Sequence, residues 1–150
     1  MNKIKTNKGF SLIEIMVVLV IMGLLASIVA PNVMEVLSGS KVQKVQADFA
    51  NIETALKMYK LDNFVYPTSE QGLEALVSRP TSSPEPKNWR KGGYLDELPM
   101  DPWDNEYLYL SPGEGGKAYE IYTLGADGVR GGEDEGRDLS NWDKPGDNAQ

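Results

Sequence analysis

The sequence has no cysteine and no histidine in 150 residues. The first absence excludes disulfides and thiolate metal sites, and the second removes imidazole ligands, His-based triads and the usual general base near neutral pH. Carboxylates, Lys and Tyr are the acid–base groups that remain, so most common hydrolase designs are closed to this chain. Basic residues are also scarce in the second part. Residues 93–150 carry four Lys or Arg against fourteen Asp or Glu, a net charge of −10, whereas residues 1–92 carry eleven against eight, a net +3. So acidic a tail repels nucleic acid and attracts cations, which argues against a DNA or RNA partner. The length itself predicts one domain rather than two.

What the chain does have begins at its N-terminus. Lys3, Lys5 and Lys8 form a short basic leader with no acid. From Phe10 to Met34 the single charge is Glu14, and Ile15–Ala30 has none. As a helix, Phe10–Met34 would run roughly 37 Å, enough to cross a hydrocarbon core of about 30 Å. The positive-inside rule would keep the lysines cytoplasmic and put the rest of the chain outside. An ordinary cleaved signal peptide would have to end at Ala30, with the large Ile28 at −3 and Pro31 after the cut. A plain membrane anchor fits the length. Neither accounts for Glu14, which is either a tolerated charge near the membrane interface or a residue with a partner.

Gly9-Phe10-Ser11-Leu12-Ile13-Glu14, after a basic leader and before an apolar run, resembles the type IV prepilin signature. The resemblance implies cleavage between Gly9 and Phe10 by a prepilin peptidase, N-methylation of Phe10, and retention of the hydrophobic segment in the mature protein. Cleavage leaves a positive amine on Phe10 beside an apolar helix, and unpaired burial of that charge is expensive. Glu14 can supply the counter-charge, along its own chain or on a neighbour. In a filament that packs these helices together, the pair would act chiefly as a register device.

Beyond Glu35 the pattern becomes one-sided. Val42, Val45, Phe49, Ile52, Leu56 and Tyr59 are spaced by three or four residues, the signature of a helix with one buried face. The spacing predicts one helix from about Phe10 to about Leu61, near 80 Å long. Pro31 sits inside it, eight residues after Gly23, and predicts a kink. The resemblance further implies that the helix melts between them in a filament. Thr68 to Gln71 has capping-box spacing, followed by a short helix that should bury Leu73, Leu76 and Val77. Residues 79–93 read as loop, and Tyr107–Leu110 with Ala118–Thr123 reads as a hairpin. The fold class is therefore α+β: a long N-terminal helix whose second half packs against a small head with a short helix and a small antiparallel sheet. The divisions expected are a leader at 1–9, a membrane and assembly segment at 10–34, and a head at 35–150.

Residues 125–138 hold five glycines and five acids and show no apolar periodicity. By themselves they read as a mobile acidic loop, and they do not match EF-hand spacing. They also offer the carboxylates, carbonyls and bendable backbone that Ca²⁺ requires, with no softer ligand in the chain to compete. A set of motifs then appears in order: Tyr59-Lys60-Leu61-Asp62-Asn63, Tyr66-Pro67-Thr68, Gly92-Gly93-Tyr94, Leu98-Pro99, Asp101-Pro102-Trp103, Ser111-Pro112-Gly113, Leu124-Gly125-Ala126-Asp127-Gly128, Gly131-Gly132-Glu133 and Asn141-Trp142. Together they resemble the major pseudopilin family of type II secretion systems, which belongs to the pilin-like folds. The resemblance implies one structural Ca²⁺. Its ligands would be the Leu124 carbonyl, the Asp127 carboxylate, a carbonyl near Val129 and the Asp138 carboxylate, with Glu133 and Asp134 as further candidates. Asp104 departs from the family, which more often has Gly there, and Glu133-Asp134-Glu135 is unusually acidic.

The function expected is structural and non-enzymatic. The chain would be a single-pass inner-membrane protein with a periplasmic head, polymerising into a pseudopilus that helps to drive folded proteins across the outer membrane. Its partners would be further copies of itself, minor pseudopilins, inner-membrane assembly components, the prepilin peptidase, and membrane lipid before assembly. A surface type IV pilus subunit is the alternative, disfavoured because many of those carry a disulfide. A membrane-tethered enzyme using Asp101, Asp104 or Asp127 is the distant third reading, since no assembled acid–base set favours it.

Overall fold

The computed structural model describes residues 9–143, with the side chains of residues 28–35 outside that description. The leader lysines and the side chain of Pro31 therefore lie outside the described residues. Helix α1 covers Leu12–Asn63 and includes position 31. The chain divides into two compact units, the first ending at Gly39 and the second starting at Ser40.

In the first unit the large apolar side chains from Phe10 to Leu25 are all 45–80% exposed, on every side of the helix. Such a surface is far outside the norm for a protein that keeps its apolar groups from contact with a partner or a lipid phase. Among the described residues no helix is long and apolar enough to cross a membrane. The apolar run Phe10–Met34 passes into residues 28–35, so the span expected from it lies partly outside the described residues.

The second unit is organised by the stripe on α1. Val45, Phe49, Ile52, Leu56 and Tyr59 are all buried, joined by Ala55, while Val42 at the margin is half-buried. α1 ends where Phe64 adopts φ 68° and returns its N–H to the Lys60 carbonyl at 2.7 Å. This left-handed termination is one that glycine usually supplies. Thr68 and Gln71 form the reciprocal capping pair expected: Thr68 N–H donates to Gln71 Oε1 at 3.1 Å, and Gln71 N–H to Thr68 Oγ1 at 3.2 Å. The short helix is a single 3₁₀ turn, Leu73–Leu76, which buries Leu73, Ala75 and Leu76. Val77, expected in that core, is only half-buried, because the turn ends before it and Ala75 takes the inward position.

The sheet is three-stranded and antiparallel in the order β1 (Leu108–Leu110), β2 (Glu120–Thr123), β3 (Leu139–Ser140). Tyr109 faces Ile121 across the first pairing and Thr123 faces Leu139 across the second. Strand alternation turns Ile121 and Thr123 inward. Tyr107, Tyr109, Tyr119, Ile121 and Leu139 close the core over the α1 stripe. The expected hairpin is present, and β3 is an addition to it.

Candidate functional site

At the N-terminus, Ser11 and Glu14 bond reciprocally. Ser11 N–H donates to Glu14 Oε2 at 3.4 Å, and Glu14 N–H to Ser11 Oγ at 3.3 Å. This is a capping box on the first turn of α1. It brings the Glu14 carboxylate to the residue that follows Phe10, whose side chain is 80% exposed.

The acidic glycine stretch folds into two short turns, Gly125–Asp127 and Asp134–Gly136, which pack on each other. Gly125 has φ +66°, and a Cβ there would lie 2.6 Å from the Glu135 carbonyl oxygen. A Cβ on Gly136 would lie 2.7 Å from Asp127 Oδ2, and one on Gly132 2.9 Å from the same oxygen. The glycines therefore let the backbone close around the Asp127 carboxylate. Asp127 Oδ1 accepts the Val129 N–H at 3.1 Å, and Asp138 Oδ2 accepts the Gly131 N–H at 3.0 Å. The other oxygen of Asp138, Oδ1, is buried without a hydrogen-bond partner among the described residues.

An orphaned carboxylate oxygen beside a glycine cradle is chemistry that suits a hard cation. Among the described residues no group of three or more acidic side chains is gathered for a metal, so any cation here would depend on backbone carbonyls for much of its shell. Glu133 and Asp134 are exposed, and Glu135 turns away to Lys41 Nζ at 2.7 Å, with Trp103 Nε1 at 3.5 Å.

The loop rests on a buried cluster centred on Asp101, which the sequence presents as a turn residue or, in the distant third reading, a catalytic acid. Asp101 is 2% exposed. Its Oδ1 accepts the N–H groups of Trp103 at 2.9 Å and Asn105 at 2.8 Å, and its Oδ2 accepts the Thr123 hydroxyl at 2.5 Å. Thr123 Oγ1 in turn accepts the Gly125 N–H at 3.2 Å. Asp104, exposed on the same turn, has φ +64°, a backbone conformation that glycine adopts without strain. Asp101 and Asp104 thus share one turn, as a buried acceptor and an exposed residue, while Asp127 lies in the glycine loop.

Comparison with known proteins decides the family. The model described as type II secretion system protein G matches residues 32–142, and the prokaryotic N-terminal methylation motif matches residues 4–30. The chain belongs to the protein G family of type II secretion systems. It is 55% identical to the type II secretion system core protein G of Pseudomonas aeruginosa over 93% of this chain and 97% of that one. The core protein G of Vibrio cholerae is 54% identical over 95% of this chain and 96% of its own length. The crystal structure of the major pseudopilin from the type 2 secretion system of enterohaemorrhagic Escherichia coli matches at TM-score 0.67 and 47% identity, over 75% of this chain and 95% of that one.

Protein G is a structural pseudopilin family, and membership sets aside the type IV pilus alternative. The methylation motif contains Gly9, Phe10 and Glu14, and the protein G match contains the whole of the acidic glycine loop.

Proposed function

We propose that this chain is the major subunit of a periplasmic pseudopilus, assembled out of the inner membrane. A prepilin peptidase would cut it between Gly9 and Phe10 and methylate Phe10. The observation that supports the reading is a helical segment from Phe10 to Leu25 whose large apolar side chains are all exposed, with Glu14 as its single charge, alongside a head in which the α1 stripe is already buried. A lone apolar helix has two stable environments, lipid before assembly and the matching helices of other subunits after it. Partners are further copies of the chain, minor pseudopilins and the inner-membrane assembly components.

The Glu14 carboxylate accepts from the N–H of Ser11, the residue next to the amine that cleavage would create on Phe10. Because it already reaches Ser11 N–H within its own chain, cleavage gives it a charged partner one residue further on, or the same amine on a neighbour. In the head, the Asp127 and Asp138 carboxylates with the Leu124 and Val129 carbonyls would hold one Ca²⁺, and Glu133 and Asp134 are further candidates. The ion would supply charge neutralisation and a cross-link between the two turns. The buried, unpartnered Asp138 Oδ1 supports this.

Intact-mass analysis of the membrane-extracted protein tests the reading, with fibre formation examined in parallel. The mature mass should correspond to residues 10–150 plus one methyl group. A Glu14→Ala chain should reach the same mass yet fail to form fibres. A product starting at Pro31, or normal fibres from Glu14→Ala, would overturn it.

A further inference from the structure

Asp101 is a buried carboxylate, which is costly unless its bonds are put to use. Its geometry shows where they lead. The single hydroxyl proton of Thr123 goes to Asp101 Oδ2, so towards Gly125 the Thr123 oxygen can only accept, and it takes the Gly125 N–H. The Asn105 side-chain amide, whose own backbone N–H is held by Asp101 Oδ1, donates to the Gly125 carbonyl at 3.3 Å. The peptide group between Leu124 and Gly125 is planar and trans, so fixing its N–H fixes its carbonyl in the opposite direction. The Leu124 carbonyl is thereby aimed away from the Asp101 cluster. On its other side Gly125 is held against the backbone of residues 135–137.

We propose that Asp101 and Thr123 are positioning residues for the cation loop, a two-step relay that sets the direction of the Leu124 carbonyl. The proposal rests on the calcium reading of that loop given above. Neither residue is a ligand. A purely structural filler at position 123 would need only bulk, because its side chain is buried in strand β2 among core neighbours. The hydroxyl adds polarity directed at one peptide group, and Asp101 fixes the sense of that polarity.

The test is calcium titration of the full chain in detergent by calorimetry, after treatment with a chelator, with Ca²⁺ alone as the probe. Thr123→Val keeps the volume and removes the relay, and should weaken calcium binding by about 10–100-fold, the range typical of lost outer-shell partners. Thr123→Ser restores the hydroxyl and should bind as the unaltered chain does. Asp101→Asn presents an amide to the Thr123 hydroxyl and reverses the relay, so it too should bind more weakly; it decides the matter if Thr123→Val does not fold. Unchanged affinity in either folded variant, or equal losses in Thr123→Val and Thr123→Ser, would overturn the relay and leave the calcium reading standing. No calcium binding by the unaltered chain would overturn the calcium reading, and the relay with it.

Discussion

Calcium should stabilise the second unit by an amount that can be worked out from the loop. Without an ion, Asp138 Oδ1 is a buried acceptor with no partner, a condition that costs about 1–3 kcal/mol. An ion that binds only the folded loop adds RT ln(1 + [L]/Kd). Extracellular sites commonly have a Kd near 10⁻⁴ M, so about 10 mM calcium is a hundredfold excess and contributes about 2.7 kcal/mol. For a unit of this size each kcal/mol moves the melting temperature by about 4–8 °C, which predicts a rise of about 10–20 °C. Circular dichroism melts of the full chain in calcium and in chelator measure it directly. Magnesium at the same concentration should do far less, since it sheds water reluctantly and demands near-octahedral geometry. Asp138→Asn separates this account from general screening of an acidic surface. It should lose the calcium shift, yet melt no lower than the unaltered chain in chelator, because it removes a buried charge that the ion would otherwise neutralise. Superimposable melts in calcium and chelator, or a full calcium shift retained by Asp138→Asn, would refute the reasoning.

Two further outcomes follow from the head. The phenols of Tyr59, Tyr94, Tyr107, Tyr109 and Tyr119 are all held above their ordinary value by burial, Tyr109 up to about 12, and Tyr107 additionally by donating to the Asp48 carboxylate at 2.7 Å. Their neutral forms are favoured in the folded state, so this stability is complete below the unfolded value near pH 10 and is lost as pH rises from there through the folded values. Urea unfolding should show a flat stability from pH 7 to 9 and a fall of at least about 1 kcal/mol per pH unit above 10; a folded protein whose tyrosines all ionise near pH 10 by ultraviolet absorbance would contradict it. Asp104→Gly relieves a left-handed backbone at φ +64°. It should raise the urea midpoint by the equivalent of about 0.5 kcal/mol, the strain of roughly 1 kcal/mol less part of the entropy that glycine adds to the unfolded chain. Asp104→Val should lower it, and equal effects of the two would show that backbone strain is not the cause.

The parts of the fold that could be read from sequence are those written in a period. The three-and-four spacing from Val45 to Tyr59 identified the packed face of α1 because each residue there meets the same core. The Thr68–Gln71 capping pair was also readable, since both of its bonds are local. β3 was not. Two residues, Leu139-Ser140, carry no period, and their strand character comes from pairing with Thr123 and Tyr122. Ser11–Glu14 is a capping box hidden by its setting, because an acid in an apolar run draws attention to membrane cost before local hydrogen bonding. Asp101 was hidden for the opposite reason. In Asp101-Pro102-Trp103 it reads as an ordinary turn residue, and only the return of β2 brings Thr123 within bonding distance of its carboxylate.

The loop's acids are not equivalent, and the difference decides what kind of cation would suit them. Glu135 has its counter-charge within the chain, Lys41 at 2.7 Å, and Arg130 pairs outside the loop with Glu114 at 2.5 Å. Asp127 and Asp138 are met by backbone N–H groups instead. Such bonds satisfy lone pairs but cancel no charge, and of the loop's cations Arg130 interacts electrostatically with Asp138. A monovalent ion would leave one charge over, whereas a divalent ion balances both. The pairing of Glu135 with Lys41 has a second consequence, since it withdraws that carboxylate from the ligand set and leaves more of the shell to carbonyls. A site of two carboxylates plus carbonyls binds less tightly than one crowded with acids. The loop would then answer to calcium at millimolar levels, as the periplasmic setting proposed for the head requires.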